Sequence, residues 1–344
     1  MSDEGPSTAW REDIPPGEAE QISAFVREVN RLQCSFARRT DGRARRGFHV
    51  KSHTALRAQF RVMDDLPAEA RHGVFETPRV FPAWVRISNG FSKPMPDWFP
   101  DLMGFAVKLE GVKGDKLLPE DADKEVQDFL ALNQPCVPVS DARQMVTIST
   151  ASGNVLTAPF VILHQLGLAH GLQVLGWATA WGLPRIVLKS AVVIDFHSLT
   201  PITLGPYAVK FKWVSRQDRR PLPTPGASWL NYLRAELHAR LRAGDLRYDF
   251  MAQFYRDPVK TPIDGALAWS ERDAPFVKLG ELTIARCDLD SEQAKADERH
   301  LTGLTFNPWH GLVAHRPIGN IQRARRRIYQ GSTRYSGRDP NPVE

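Results

Sequence analysis

The sequence predicts an α+β domain: short antiparallel strands forming a barrel or a sandwich, with helices packed around them. Three observations carry this expectation. Between about 45 and 150 the chain is cut into short β-rich runs by turns rich in Pro, Gly and Asp. Strand texture returns after 190. Helical periodicity brackets these stretches at both ends. With 344 residues, of which 42% are hydrophobic and 24% charged, the chain has ample material for a core. No internal repeat or linker-like change of composition divides it. A single domain is expected over 18–335, preceded by a disordered arm at 1–17 (Pro6, Pro15 and Pro16 amid charge) and followed by a tail at 336–344.

The elements follow in order. A helix is expected over roughly 18–38, because Ile22, Phe25, Val26, Val29 and Leu32 recur on one face. From Phe48 to Val62 the chain alternates, with Phe48, Val50, Leu56, Phe60 and Val62 on one side and His49, Lys51, His53, Arg57 and Gln59 on the other. Further strands are expected at 83–89, 103–110, 126–133, 190–214, 247–255 and 276–287. A helix should run from Ser228 as N-cap to Gly244 as stop, on a seam of Leu230, Leu233, Leu237 and Leu241. A charged helical stretch follows at 291–300.

Between Gln144 and Pro184 there is no Asp, Glu, Lys or Arg. A membrane span needs about 20 predominantly apolar residues, and His164, Gln165, His170 and several glycines interrupt this run. A buried pair of helices or a greasy wall beside a ligand channel is the preferred reading; contact with lipid is the alternative.

The formal charge is +6, carried mostly by arginine, which suits planar anions such as carboxylates and phosphates. Basic residues bunch at Arg38 to Arg46 and Arg323 to Arg327. Neither cluster has the aromatic interleaving of a stacking platform, so nucleic acid is not an expected partner. The three cysteines, Cys34, Cys136 and Cys287, are widely spaced and fit no metal or redox motif. They read as reduced thiols in a cytoplasmic protein, and the N-terminus has no basic-then-apolar leader.

The C-terminal segment carries the sharpest chemical signal. Pro317 suits a first helical position and Gly331 a stop. Ile318, Ile321 and Ile328 mark an apolar face that also holds Arg325, and Tyr329 lies one turn further on. An arginine on a buried stripe is costly unless it meets an anion. The phenol of Tyr329 could be that anion only if ionised, and free tyrosine has a pKa of about 10. A metal ion on the oxygen would complete the arrangement. This points to a tyrosinate-ligated iron.

Other candidates are weaker singly. Arg46 precedes His49 by three residues on the polar side of a strand. Trp84, Arg86 and Ser88 share one face of another. Asn133-Gln134-Pro135 ends a third.

In order and spacing these residues resemble the haem catalases, and in particular the shortened catalase-related peroxidases. The likeness comprises Arg46-x-x-His49, Val85-Arg86-x-Ser88, Asp101-x-x-Gly104-Phe105-Ala106-Val107-Lys108, Asn133-x-Pro135 and Phe306-x-Pro308. It ends with Arg325-x-x-x-Tyr329 and Arg334 five residues beyond. It covers roughly 45 to 335 and is loosest between 150 and 300. The resemblance implies a catalase-like antiparallel β-barrel with surrounding α-helices. It implies haem b with ferric iron and Tyr329 as axial ligand, tyrosine ligation being the general pattern for catalase haem. Arg325 would keep the phenolate ionised, and Arg46, Arg86 and Arg334 would pair with the haem propionates. His49 would be the acid–base residue, Ser88 would fix its ring and Asn133 would hold the peroxide.

Three departures bear on the substrate. Cys136, Val137 and Pro138 stand where phenylalanines are usual, Met103 replaces an arginine, and Phe48 replaces a smaller residue. The pocket so altered need not be tuned to hydrogen peroxide. The resemblance therefore implies consumption of hydrogen peroxide or organic hydroperoxides by catalase or peroxidase chemistry. The alternatives are a fatty-acid hydroperoxide isomerase or dehydratase resembling the allene oxide synthases, and a non-catalytic haem-binding or membrane-associated protein. Peripheral membrane contact through 144–184 and a homo-oligomer remain open partner expectations, and tightly bound NADPH is not expected.

Overall fold

The computed structural model describes residues 5–37, 48–91, 93–139, 141–151, 154, 156–265 and 267–335. Among the described residues there are nine strands: β1 (Ser52–Val62), β2 (Val80–Asn89), β3 (Met103–Glu110), β4 (Val126–Leu132), β5 (Phe196–His197), β6 (Ile202–Leu204), β7 (Tyr207–Ser215), β8 (Leu246–Phe254) and β9 (Phe276–Ile284). They run β5-β4-β3-β2-β1-β9-β8-β7-β6, and a further β5–β7 pairing closes eight of them into an antiparallel barrel with β6 attached to β7. Closure removes the open edges that would otherwise invite pairing with another chain.

The barrel is filled by aromatic side chains. Phe60, Phe105, Phe129, Phe196, Trp213, Tyr248 and Phe250 are all almost fully buried. Their rings meet mostly edge-on or tilted, as in Phe60–Trp213 at 5.8 Å and Trp213–Phe250 at 4.7 Å, the geometry that aromatic quadrupoles favour. An eight-stranded barrel is just wide enough for side chains to fill it. The space for a ligand therefore lies outside the barrel, between it and the helices.

The helices are α1 (Glu18–Ala37), α2 (Ala142–Ala151), α3 (Ala158–Leu166), α4 (Leu168–Leu188), α5 (Tyr232–Ala243), α6 (Glu292–Gly303) and α7 (Asn320–Tyr335). Helix α1 contributes Ile22, Phe25 and Val29 to a cluster with Ala142 of α2 and Ala324 and Ile328 of α7. The segment ahead of α1, expected as a disordered arm, is fastened along the barrel. Trp10 Nε1 donates to the Pro206 carbonyl at 2.8 Å, and Glu12 pairs with Arg316 and Arg323.

Several boundaries differ from expectation for identifiable reasons. Strand β1 starts at Ser52 rather than Phe48, because His49 has φ +57, a left-handed conformation incompatible with a strand. A register shift between Ser52 and Thr54 then turns His53 into the interior, where its Nε2 meets Asn89 Oδ1 at 2.7 Å. Helix α5 begins at Tyr232 rather than after Ser228, since the buried carboxylate of Asp97 accepts from the Leu233 N–H at 2.8 Å and caps the helix there. Helix α7 begins three residues after Pro317, which forms a bridge with Ile202 instead, and it runs on through Gly331. The uncharged 144–184 run is not a buried helical pair. It forms most of α2 to α4, and much of α3 and α4 is exposed.

Candidate active site

One cavity of about 450 Å³ lies between the barrel and helices α1, α2, α3, α4 and α7, within the ~300–1,000 Å³ usual for cofactor and small-molecule sites. Its polar groups are few. His49, Arg86 and Ser88 reach it from the barrel side, Arg325 and Tyr329 from α7, and Gln134 from the turn after β4. Phe25, Val29, Phe48, Met145, Ile148, Ile162 and Val174 are among the apolar side chains that make up most of the remainder.

Tight local bonding sets His49. Its backbone N–H donates to the Gly90 carbonyl at 3.2 Å, and its carbonyl accepts from the Arg86 guanidinium at 2.6 Å. The ring Nδ1 lies 3.3 Å from Ser88 Oγ. Gly104 of β3 makes room for that ring: a Cβ there would lie 2.6 Å from His49 Nδ1 and 3.0 Å from Ser88 Oγ. Asp101, three residues before it, holds the facing loop by accepting from the Phe91 N–H at 3.2 Å. The Asp-x-x-Gly pattern is thus a floor for the histidine and a brace for its loop. Lys51, two residues on, is anchored at 2.6 Å by Asp97.

Carboxylates seat α7. The Gly319 and Asn320 N–H groups, at the positive end of the helix, donate to Glu12 Oε1 (2.8 Å) and Asp264 Oδ1 (2.7 Å). Arg323 donates to Glu12 and Glu18, both at 2.6 Å, and the Asn320 amide joins Glu18 to α2. The Arg323 hydrogen bond holds the Glu18 carboxyl below its usual range. Burial works to raise that of Glu12, but the Gly319 N–H and the two arginines bring it below normal as well. Burial pushes Asp264 up. So fixed, α7 puts Ile321, Arg325, Ile328 and Tyr329 on the cavity. The Arg325 guanidinium stands 3.4 Å from Tyr329 Oη, its Cζ 5.5 Å from the ring centre.

A buried ion pair supports the wall between these groups. Lys108, at the end of the Gly-Phe-Ala-Val-Lys run, binds Asp128 at 2.6 Å, and the other carboxylate oxygen accepts from the Asn307 N–H at 2.9 Å. Complete burial alone would raise Asp128, but Lys108 and His310 outweigh it and the carboxyl is held below its ordinary value. This fixes Phe306, a cavity residue, against the barrel.

Of the sequence candidates, His49, Ser88, Arg86, Arg325 and Tyr329 meet at this cavity. Arg46 lies outside the described residues, as does the side chain of Arg334, whose backbone falls in the last turn of α7. Asn133 does not line the cavity. Its Oδ1 accepts from the Met103 N–H at 2.7 Å and its Nδ2 donates to the Trp181 carbonyl at 2.6 Å, tying β3 and β4 to α4. Its neighbour Gln134, overlooked in the sequence, does line the cavity, and its Oε1 is buried without a hydrogen-bond partner. Residue spacing alone could not have ranked the two amides.

The fold has close counterparts among solved structures. A bacterial catalase superposes with a TM-score of 0.60 at 15% identity, covering 98% of this chain and 64% of its own. A fungal catalase gives 0.64 at 13% identity, covering 99% and 68%. A catalase-related peroxidase of Mycolicibacterium paratuberculosis is 27% identical over 231 residues. That match takes in 61% of this chain and 65% of the mycobacterial protein, just under two thirds of it. No family model matches the chain. The chain shares the catalase fold of these two structures, and the cavity wall made by α3 and α4 falls in the stretch where the sequence likeness is loosest.

Proposed function

We propose that the cavity holds haem b and that the protein consumes peroxides with it, in the manner of a catalase or peroxidase. The observation that carries this reading is the convergence on one apolar cavity of a tyrosine–arginine pair from α7 and a histidine–serine pair from the barrel. The donor set fits the group. Tyr329 offers a phenol oxygen with a guanidinium 3.4 Å from it, the cavity is of suitable size and largely apolar, and Arg86 reaches it with a cation suited to a propionate. Arg46 and Arg334 are proposed to complete the propionate contacts. When bound, haem would supply the redox chemistry of O–O cleavage.

The chain's own residues would do the following. Tyr329 would ligate the iron, and Arg325, 3.4 Å from its oxygen, would stand beside the bound phenolate. His49 would take a proton from one peroxide oxygen and return it to the other, a task suited to an imidazole. Ser88 and the absent side chain of Gly104 hold its ring in place. Gln134 lines the cavity and its amide is proposed as a contact for the bound peroxide, with Asn133 in its present position serving the framework. Apolar walls exclude competing water.

The same walls favour a second substrate class. Phe25, Val29, Met145, Ile148, Ile162 and Val174 present little that hydrogen peroxide needs and much that an alkyl chain would contact. Organic hydroperoxides, including those of fatty acids, are therefore included, whether reduced or rearranged.

The test is peroxide consumption by haem-loaded wild type and His49→Ala, with tert-butyl hydroperoxide and a fatty-acid hydroperoxide beside hydrogen peroxide. His49→Ala should keep the haem spectrum and lose turnover. Equal turnover in the two would remove His49 from the mechanism. Loss of the diene absorbance without an added reductant would mark rearrangement.

A further inference from the structure

Helices α3 and α4 turn apolar side chains toward solvent. Leu156, just ahead of α3, is 84% exposed and Phe160 74%. Along α4, Leu168, Leu172, Leu183 and Val187, spaced by four, eleven and four residues and so on one side of the helix, are exposed by 70%, 55%, 48% and 66%. A surface helix ordinarily directs its polar residues outward, and apolar patches of this kind mark interaction sites.

The surroundings indicate the partner. No Asp, Glu, Lys or Arg occurs from 144 to 184, Arg143 precedes the run, and Arg185 and Lys189 follow it, in a chain of net charge +6. In sequence the patch is uncharged at its centre, has Asp141 beside Arg143 at its start and is cationic at its end, where Arg185 and Lys189 follow. Stacked indoles accompany it: Trp177 on Trp181 (5.5 Å, 19°) within α4, and exposed Trp98 on Trp229 (5.4 Å, 14°). The loop that carries Trp98 approaches the late part of the patch at Gly182, where a Cβ would lie 2.9 Å from the Pro100 carbonyl carbon. That close approach brings the Leu183 end of α4 to the 98–100 loop. Exposed aliphatics, indoles beside them and flanking cations together match the acyl chains, the interfacial layer and the headgroups of an anionic bilayer. Among the described residues no helix is long and apolar enough to cross a membrane, so α3 and α4 would lie in the plane of its surface.

We propose that α3 and α4 dock the protein onto anionic phospholipid membranes. The proposal stands apart from the haem assignment. Ala158 and Ile162 of α3, with Val174 and Ala178 of α4, line the cavity as well, so docking sets the cavity wall against the lipid.

The experiment is co-sedimentation of the full-length protein with vesicles of phosphatidylcholine, with and without phosphatidylglycerol. Binding should be strong to the anionic vesicles, weaker to the neutral ones and reduced by salt. Phe160→Asp and Leu172→Asp should each weaken it roughly tenfold, with far-ultraviolet circular dichroism unchanged; Leu168→Gln is the milder substitute should either misfold. Absence of binding to anionic vesicles, or undiminished binding by all three variants, would overturn the proposal. So would a lipid-indifferent protein whose dimer in analytical ultracentrifugation is split by the same substitutions, since the face would then belong to a second copy.

Discussion

Gly104→Ala perturbs the candidate site by a single methyl group. Gly104 sits in the β-ladder opposite Ser88 and Leu132, so its backbone cannot move without disturbing two strand pairs. The new Cβ would stand 2.6 Å from His49 Nδ1, 2.7 Å from Cε1 and 3.0 Å from Ser88 Oγ. Ordinary contact is about 3.5–4.0 Å, so the imidazole has to retreat by about 1 Å. The backbone of His49 is held at both its N–H and its carbonyl, which leaves rotation of the ring into the cavity as the available response. Overpacking of this kind costs about 1–3 kcal/mol, and the low end applies because the ring borders open space. The 3.3 Å contact with Ser88 is lost in the process. A displacement of about 1 Å at a proton-transferring group can lower the rate on the order of 100-fold. The assay is the initial rate of peroxide consumption per haem, read beside the melting temperature. A large fall in rate with a small fall in melting temperature is expected. A variant within twofold of wild type would refute the assignment of His49 and of the glycine that makes room for it.

Other outcomes follow from the same structure. Glu12 and Glu18 have carboxyls held below their ordinary value of 4.5. The stability they contribute is complete above about pH 4.5 and is lost as pH falls through their lower folded-state values; Asp264, pushed up by burial, has the opposite sign. Urea midpoints should therefore drop steeply below pH 4.5 in wild type and less steeply in Arg323→Leu, and parallel curves would dismiss the clamp. Asp128→Asn leaves the Lys108 ammonium buried without its anion and should cost about 3–5 kcal/mol in denaturant titrations; a loss under 1 kcal/mol would show that the pair is dispensable. Gln134→Leu should weaken cyanide binding to the ferric protein, seen in the Soret band, whereas Asn133→Leu should act mainly on stability. The reverse pattern would restore Asn133 to the cavity.

How much of this was legible in the sequence depended on whether a residue acts locally. The alternating run of β1 and the Leu233, Leu237 and Leu241 seam of α5 reported their elements because burial on one face dictates their spacing. The helical proximity of Arg325 and Tyr329 followed from the four-residue turn alone. Boundaries fixed by distant groups were not legible: Asp97 starts α5, and Glu12 and Asp264 start α7, from far along the chain. The left-handed backbone of His49 was equally hidden, because it is set by the Gly90 and Arg86 contacts. The arm at 1–17 read as disordered from its prolines and charge, yet one of those charges, Glu12, is the partner of Arg316 and Arg323. Asn133 and Gln134 are adjacent and both amides, and only the three-dimensional bonding of Asn133 separates their roles. The uncharged run was correctly suspected of being unusual; its outward-facing stripe emerged only with the packing of α2 to α4.

The central claim is that Tyr329 binds a haem iron as a phenolate beside Arg325. Its most direct test is the absorption and resonance Raman spectrum of the ferric protein, compared between wild type and Tyr329→Phe. A tyrosinate-ligated spectrum that is lost or altered in the variant is the predicted result. Histidine or thiolate ligation, refusal of haem by the intact protein, or an unchanged spectrum in Tyr329→Phe would contradict it.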